Sequence, residues 1–154
     1  MPVPAPVTVR PLRPDDHRAW GELWDGYLRF YREDLPAEIT AETFRRLCAG
    51  AGGTFAFVAC DADAQPVGLA HGVVHASTWS PGGYCYLEDL FVDPAARGGD
   101  VGRLLIEAVA AEAQARGTTK LYWQTQAFNG RARSLYDQVG TLSSSVIYER
   151  DLPG

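Results

Sequence analysis

Apolar residues recur along this chain with two periods, and the changes from one to the other mark its elements. Val7-Thr-Val-Arg-Pro-Leu12 alternates like a short strand. Pro14-Asp15-Asp16 is a helix start, with proline and acids in the first turn. Trp20, Leu23, Trp24, Tyr27 and Tyr31 follow at helical spacing on one face. Leu35-Pro36 breaks this helix, and Thr40 is placed to cap a second one that runs through Phe44 and Leu47 to Ala49, where Gly50, Gly52 and Gly53 end the region.

Thr54 to Cys60 and Val67 to Thr78 are apolar runs joined by Asp61-Ala-Asp-Ala-Gln-Pro66, a turn-forming stretch that predicts a hairpin. Pro81-Gly82-Gly83 then turns into Tyr84 to Val92, rich enough in aromatic and β-branched residues for a long strand. Three adjacent antiparallel strands result. Asp93-Pro94 ends the third, and Val101, Leu104, Leu105 and Ala108 predict a helix reaching Arg116-Gly117. The remainder reads as a strand from Lys120 to Gln126, a helix from Gly130 to Val139 ending at Gly140, and a last strand from Ser144 to Arg150. The order βααβββαβαβ implies an α/β (α+β) fold, a mixed sheet covered by four helices.

No repeat or linker divides the 154 residues, so a single domain over 1–154 is expected, with a flexible Pro-rich tail over 1–6. The composition, 46% hydrophobic and 21% charged, supports a core and excludes a disordered or fibrous chain. Apolar runs such as Phe55 to Cys60 fall far short of the about 18 residues that cross a bilayer, and the start lacks a basic-then-apolar signal. A soluble, cytoplasmic protein with no membrane partner is expected. Cys48, Cys60 and Cys85 have no C-x-x-C spacing, which suits reduced thiols. A net charge of −5 without a Lys/Arg block argues against nucleic acid and favours cationic partners. His71 and His75 lie about 13 Å apart along one strand, too far for one ion, so no metal is expected.

The chemistry concentrates in the stretch from Leu87 to Leu105, a strand, a Gly-containing loop and a helix start. Free N–H groups from Gly98 to Gly102 would sit where the helix dipole is positive, glycine permits close approach, and Arg97 and Arg103 add charge. A plain turn before a helix produces the same local pattern. No G-x-x-x-x-G-K-[ST] string is present, and no G-x-G-x-x-G follows a strand in a parallel βαβ unit.

Arg97-Gly98-Gly99-Asp100-Val101-Gly102 resembles the Arg/Gln-x-x-Gly-x-Gly/Ala loop of the GNAT superfamily of acyl-CoA N-acyltransferases. Asn129-x-x-Ala132-x-x-Leu135-Tyr136 is similar to that family's second signature, and the element order matches over nearly the whole chain. Ser77-Thr-Trp79 and Tyr86-Leu-Glu-Asp-Leu-Phe-Val92 are similar to the branch of diamine, polyamine and Hpa-type acetyltransferases. The resemblance implies a mostly antiparallel sheet of six to seven strands, acetyl-CoA as co-substrate, and a homodimer.

By the same resemblance, Leu90, Phe91 and Val92 would line the thioester and offer backbone N–H groups. Arg97, Gly98, Gly99, Asp100, Val101, Gly102 and Arg103 would hold the CoA pyrophosphate, and Asn129 and Ala132 would meet the CoA arm. Asp100 departs from the pattern, standing where the motif has its first glycine. A carboxylate about 5 Å from a phosphate charge at an effective dielectric near 20 costs roughly 3 kcal/mol. If it points to solvent instead, it becomes a favourable first-turn acid.

Acyl transfer to an amine needs a neutral nucleophile, a stabilised oxyanion and a proton for the departing thiolate. An amine of pKa near 10.4 is only about one part in 2,500 neutral at pH 7, a cost of roughly 4.6 kcal/mol. Glu88 is the candidate base, with a salt-bridged strand carboxylate as the plainer alternative, and strand alternation sends Asp89 to the other face. Tyr136 is the candidate acid; Ala132, Leu135, Tyr136 and Val139 also form the stripe of an ordinary buried helix face. Tyr27, Tyr31, Trp79 and Trp123, with Glu88, Glu33 and Asp34, would line a pocket for a small-molecule amine cation, although Tyr27 and Tyr31 also belong to the stripe that buries the first helix. Two other readings remain open: acetylation of a protein lysine or N-terminus, and a non-catalytic acyl-CoA sensor whose site Asp100 has weakened.

Overall fold

All but the last of the expected elements form in the computed structural model, which describes residues 6–154; the tail expected over 1–6 falls, through residue 5, outside the described residues. The strands are β1 (Thr8–Pro11), β2 (Thr54–Cys60), β3 (Pro66–Ser77), β4 (Ser80–Val92) and β5 (Leu121–Tyr122). The helices are α1 (His17–Phe30), α2 (Ala37–Ala49), α3 (Val101–Ala115) and α4 (Gly130–Val139). They fall into two compact units, one ending at Gln124 and one spanning Thr125–Gly154. Among the described residues no helix is long and apolar enough to cross a membrane.

The first unit holds one sheet in the order β1-β2-β3-β4-β5, antiparallel throughout except for the parallel pair β4–β5. Trp20, Leu23 and Trp24 of α1 and Phe44 and Leu47 of α2 pack with Val58, Leu69 and Phe91 on one face. On the other, α3 closes on the sheet with Val101, Leu105, Ile106 and Val109 buried. Two acids organise the connections. The Asp16 carboxylate accepts from Arg10 at 2.7 and 2.8 Å and from the Arg13 N–H at 2.8 Å, tying β1 to the start of α1. Asp61 closes the β2–β3 hairpin by accepting from the N–H groups of Asp63 and Gln65.

Four sequence expectations need correction. The second helix begins before Thr40: Pro36 stands at its N-cap without a side-chain cap, and Thr40 N donates to the Pro36 carbonyl. The strand at Pro81-Gly82-Gly83 starts earlier, at Ser80, because Ser77 and Ser80 already pair across the hairpin. The strand expected over Lys120 to Gln126 shortens to Leu121–Tyr122, which pair with Cys85 and Tyr86 of β4. The last strand, Ser144 to Arg150, does not form, and residues 141–154 are exposed throughout. Its β-rich composition supplies no ladder or buried face, and a strand without both has little stability of its own. Among the described residues the sheet therefore has five strands and not six to seven.

In the second unit α4 is capped by Asn129, whose side-chain oxygen accepts from Ala132 N at 3.4 Å, and by Gly140 at its other end.

Candidate active site

The site grows out of one irregularity in β4. Gly72 of β3 pairs with Leu87, but the next residue, His71, pairs with Asp89, so Glu88 is an extra residue in the strand. Such a bulge breaks the alternation and re-aims the side chains that follow it. Asp89, expected on the face opposite Glu88, is carried instead onto the α1 side, where it meets His71 and Tyr27. Strand periodicity failed here because a one-residue insertion flips every later side chain.

His71 is buried between the sheet and α1, 2% exposed, and both ring nitrogens are engaged. Nε2 lies 3.0 Å from Trp20 Nε1, and Nδ1 lies 2.8 Å from Asp89 Oδ2. The Tyr27 hydroxyl faces the same carboxylate, and burial first, then Asp89, pushes its pKa far above the ordinary value. Tyr31 and Tyr86 are also raised, mainly by burial and then by the charges of Asp89 and Glu88 respectively. Tyr86 stacks on Tyr122 at 5.0 Å, and the Tyr122 hydroxyl lies 2.7 Å from His75 Nε2. The result is a tyrosine-walled patch with two adjacent carboxyl groups at its centre.

Glu88 is exposed as a residue, yet desolvation of its carboxyl, followed by repulsion from Asp89, raises its pKa. A carboxylate with a raised pKa is a better proton acceptor, and one at a bulge has room to reach a substrate.

Beyond the bulge, β4 has a partner on one side only. β5 pairs with it at Cys85 and Tyr86 and not further along. Asp93 N donates to the Val67 carbonyl on β3, so by alternation Phe91 also spends its backbone on β3 and Leu90 and Val92 turn theirs to the open edge. Arg97 Nε, which donates to the Val92 carbonyl at 3.0 Å, marks that direction. Of the three residues expected to offer N–H groups, Leu90 and Val92 thus have them available. Phe91 does not, and its side chain belongs to the core.

The loop after β4 suits a phosphate group. Gly98 has φ +94°, open to glycine and strained for other residues, and a Cβ at Gly98 or Gly99 would meet nothing within 4 Å. Asp100 is the N-cap of α3, exposed, with φ −91° and no side-chain capping bond. Its carbonyl accepts the Leu104 N–H, so the first-turn N–H groups at Val101 and Gly102 have no carbonyl ahead of them in the helix. Arg97 leans on Phe91, its guanidinium carbon 5.6 Å from the ring centre, and Arg103 follows in the first turn of α3. These residues fit an anionic co-substrate at a helix N-terminus.

A model of the acetyltransferase (GNAT) family matches residues 19–141. The chain belongs to that family. This GNAT enzyme is 34% identical over 146 residues to the D-amino-acid N-acetyltransferase HPA3 of Saccharomyces cerevisiae, covering 94% of this chain and 91% of that one. It is 31% identical over 149 residues to an aminoglycoside N(6')-acetyltransferase type 1 of Stenotrophomonas maltophilia, covering 93% and 92%. In fold it resembles the aminoglycoside acetyltransferase AAC(6')-Iy solved with a CoA bisubstrate analogue, with TM-score 0.82, 19% identity and 97% and 100% of the two chains covered. It is an acetyl-CoA-dependent N-acetyltransferase, and its acceptor is an amine.

Of the expected acceptor residues, the fold gathers Tyr27, Tyr31 and Glu88. Trp79 is not among them: it is 87% exposed at the β3–β4 hairpin, about 25 Å of strand from Glu88. Trp123 is half-buried just after β5. Tyr136, Asn129 and Ala132 belong to the second unit, half-buried on or beside α4. Sequence reasoning missed His71, Tyr86 and Tyr122 as members of the patch. The stripe of His71 and His75 on β3 and of Tyr84 and Tyr86 on β4 pointed to the first two, while Tyr122 lies on β5.

Proposed function

We propose that this enzyme acetylates the primary amine of a small cationic molecule by direct attack in a ternary complex. The observation that carries the reading is the pair of carboxyl groups, Glu88 and Asp89, set at the β4 bulge among Tyr27, Tyr31 and Tyr86. Such a patch attracts an ammonium by charge and by the faces of its rings.

In the proposed reaction Glu88, directly or through a water, takes a proton from the bound ammonium. The freed nitrogen forms a bond to the thioester carbon, and the N–H groups of Leu90 and Val92 stabilise the oxyanion. As the carbon–sulfur bond breaks, the Tyr136 hydroxyl gives its proton to the sulfur, which a phenol does to an alkyl thiolate with little penalty, and the second proton lost by the acetylated nitrogen restores the phenol. The Gly98 to Gly102 backbone with Arg97 and Arg103 holds the CoA phosphates. Asn129 and Ala132 meet the CoA arm, and Trp123 adds to the acceptor wall. A homodimer in the cytoplasm belongs to the same proposal, and light scattering reads the first part.

The test is release of CoA thiol from acetyl-CoA across a panel of diamines, polyamines, aminoglycosides, D- and L-amino acids and lysine peptides. Turnover confined to multiply charged amines supports the reading, and turnover confined to peptides overturns it. Tyr136→Phe is expected to keep acetyl-CoA affinity and lose about 10²- to 10⁴-fold in kcat. Glu88→Gln is expected to flatten the acidic limb of the rate profile, since activity should rise with pH through the raised Glu88 pKa. A second reading, an amino-acid acceptor, is favoured by the HPA3 relative and by Arg46, whose charge reaches Glu88 and suits a substrate carboxylate. Turnover of D-amino acids alone selects it.

A further inference from the structure

His71 is a buried imidazole that the proposed reaction does not use. It sits on β3 among Trp20, Trp24 and Asp89, its ring centre 5.9 and 5.4 Å from the two indoles. An unpartnered polar ring there would be costly, so its two hydrogen bonds need a reason.

The partners dictate its proton. An indole N–H can only donate, so Nε2, 3.0 Å from Trp20 Nε1, accepts and carries no hydrogen. The single ring proton is therefore on Nδ1 and is donated to Asp89 Oδ2 at 2.8 Å. A proton added at Nε2 would oppose two N–H groups. The geometry thus holds the imidazole neutral, and the His71–Asp89 pair keeps the full negative charge of the carboxylate. Were His71 free to become imidazolium, the pair would be neutral and would attract no cation.

The β4 bulge selects this arrangement. Without the extra residue, His71 would face Glu88. With it, Asp89 is gripped from one side and its side chain, 14% exposed, still opens to the patch. Stacking of Trp20 on Trp24 at 5.5 Å and of Trp24 on Tyr27 at 5.1 Å immobilises the surroundings. The other titratable or charged groups that face the pair are Tyr27 from α1 and Tyr31 at its C-cap, Glu88 and Tyr86 from β4, and Arg46 from α2.

We infer that His71 is a positioning residue, locked by Trp20 in its Nδ1–H form, which holds Asp89 as a permanently anionic anchor for the acceptor ammonium while Glu88 is left free to take the proton. This rests on reading the patch as the amine site. It divides the labour between two adjacent carboxylates: Asp89 for charge recognition, Glu88 for proton transfer.

Three variants test it. His71→Leu removes both hydrogen bonds and is expected to raise KM for the amine about tenfold to a hundredfold, the worth of one charge-assisted bond, with KM for acetyl-CoA unchanged. His71→Asn keeps an N–H near the position of Nδ1 and is expected to recover most of that loss. Trp20→Phe frees Nε2 and is expected to introduce an acid-side fall in kcat/KM for the amine that wild type lacks, as the histidine gains charge. Long-range proton–nitrogen NMR on the full chain across pH reads the tautomer without any acceptor: wild type should keep its proton on Nδ1, and Trp20→Phe should lose that preference. A His71 that titrates in wild type overturns the lock, whatever the acceptor is. Equal amine KM in His71→Leu and wild type overturns the anchor. Loss of turnover on every amine in the wild-type panel refutes the amine-site reading itself and leaves the NMR result to judge the tautomer lock alone.

Discussion

Asp100 carries the sharpest quantitative prediction, because the structure changes the size of its expected penalty. Placed about 5 Å from a phosphate charge in a partly desolvated site, the carboxylate would weaken acetyl-CoA binding by roughly 3 kcal/mol, about a hundredfold. Asp100 is exposed, however, at the N-cap of α3 with an ordinary negative φ, so its field passes through water. At a dielectric near 80 the same distance gives about 0.8 kcal/mol, a factor of about four, and physiological salt with its Debye length of about 8 Å reduces this to about twofold. Calorimetric titration with acetyl-CoA at low and physiological salt measures this directly. Asp100→Asn should tighten binding about fourfold at low salt and about twofold at physiological salt, and Asp100→Gly should add little beyond it. A gain above about thirtyfold in Asp100→Asn would show the carboxylate desolvated against the pyrophosphate. Weaker binding in that variant would make it a favourable contact, and either result refutes the reasoning.

Two further outcomes concern stability. Arg10, by hydrogen bonding, holds Asp16 below the usual carboxylate range, and the pair is largely buried. Its contribution is therefore present above the unfolded Asp pKa and lost as pH falls through the lower folded one. Asp16→Asn should cost about 2–3 kcal/mol near neutrality in denaturant melts and flatten the loss of stability in acid. Gly72 pairs with Phe55, and a Cβ there would run into the Phe55 ring. Gly72→Ala should destabilise by about 1–3 kcal/mol with KM for both substrates unchanged, as thermal melts and initial rates will show.

Local chemistry made much of this protein legible from its sequence. The Trp20 to Trp24 stripe, the Asp61 turn, the limits of β2 and the helix from Gly130 to Val139 follow from periodicity and turn residues that act within a few positions of themselves. So does the glycine loop ahead of α3, whose positive φ at Gly98 is a property of one residue. Tertiary pairing decided what no window of sequence contains. The bulge at Glu88 exists because β3 and β4 match at both ends with unequal lengths between, and it turned Asp89 from the expected face to His71, 18 residues away. Pairing also cut the strand after Lys120 to two residues and left Ser144 to Arg150 without a ladder, since a strand is stabilised by its neighbour and not by its own composition. The patch was hidden for the same reason: Trp20, His71 and Asp89 share no local pattern, and only packing α1 against the bulged sheet joins their hydrogen bonds.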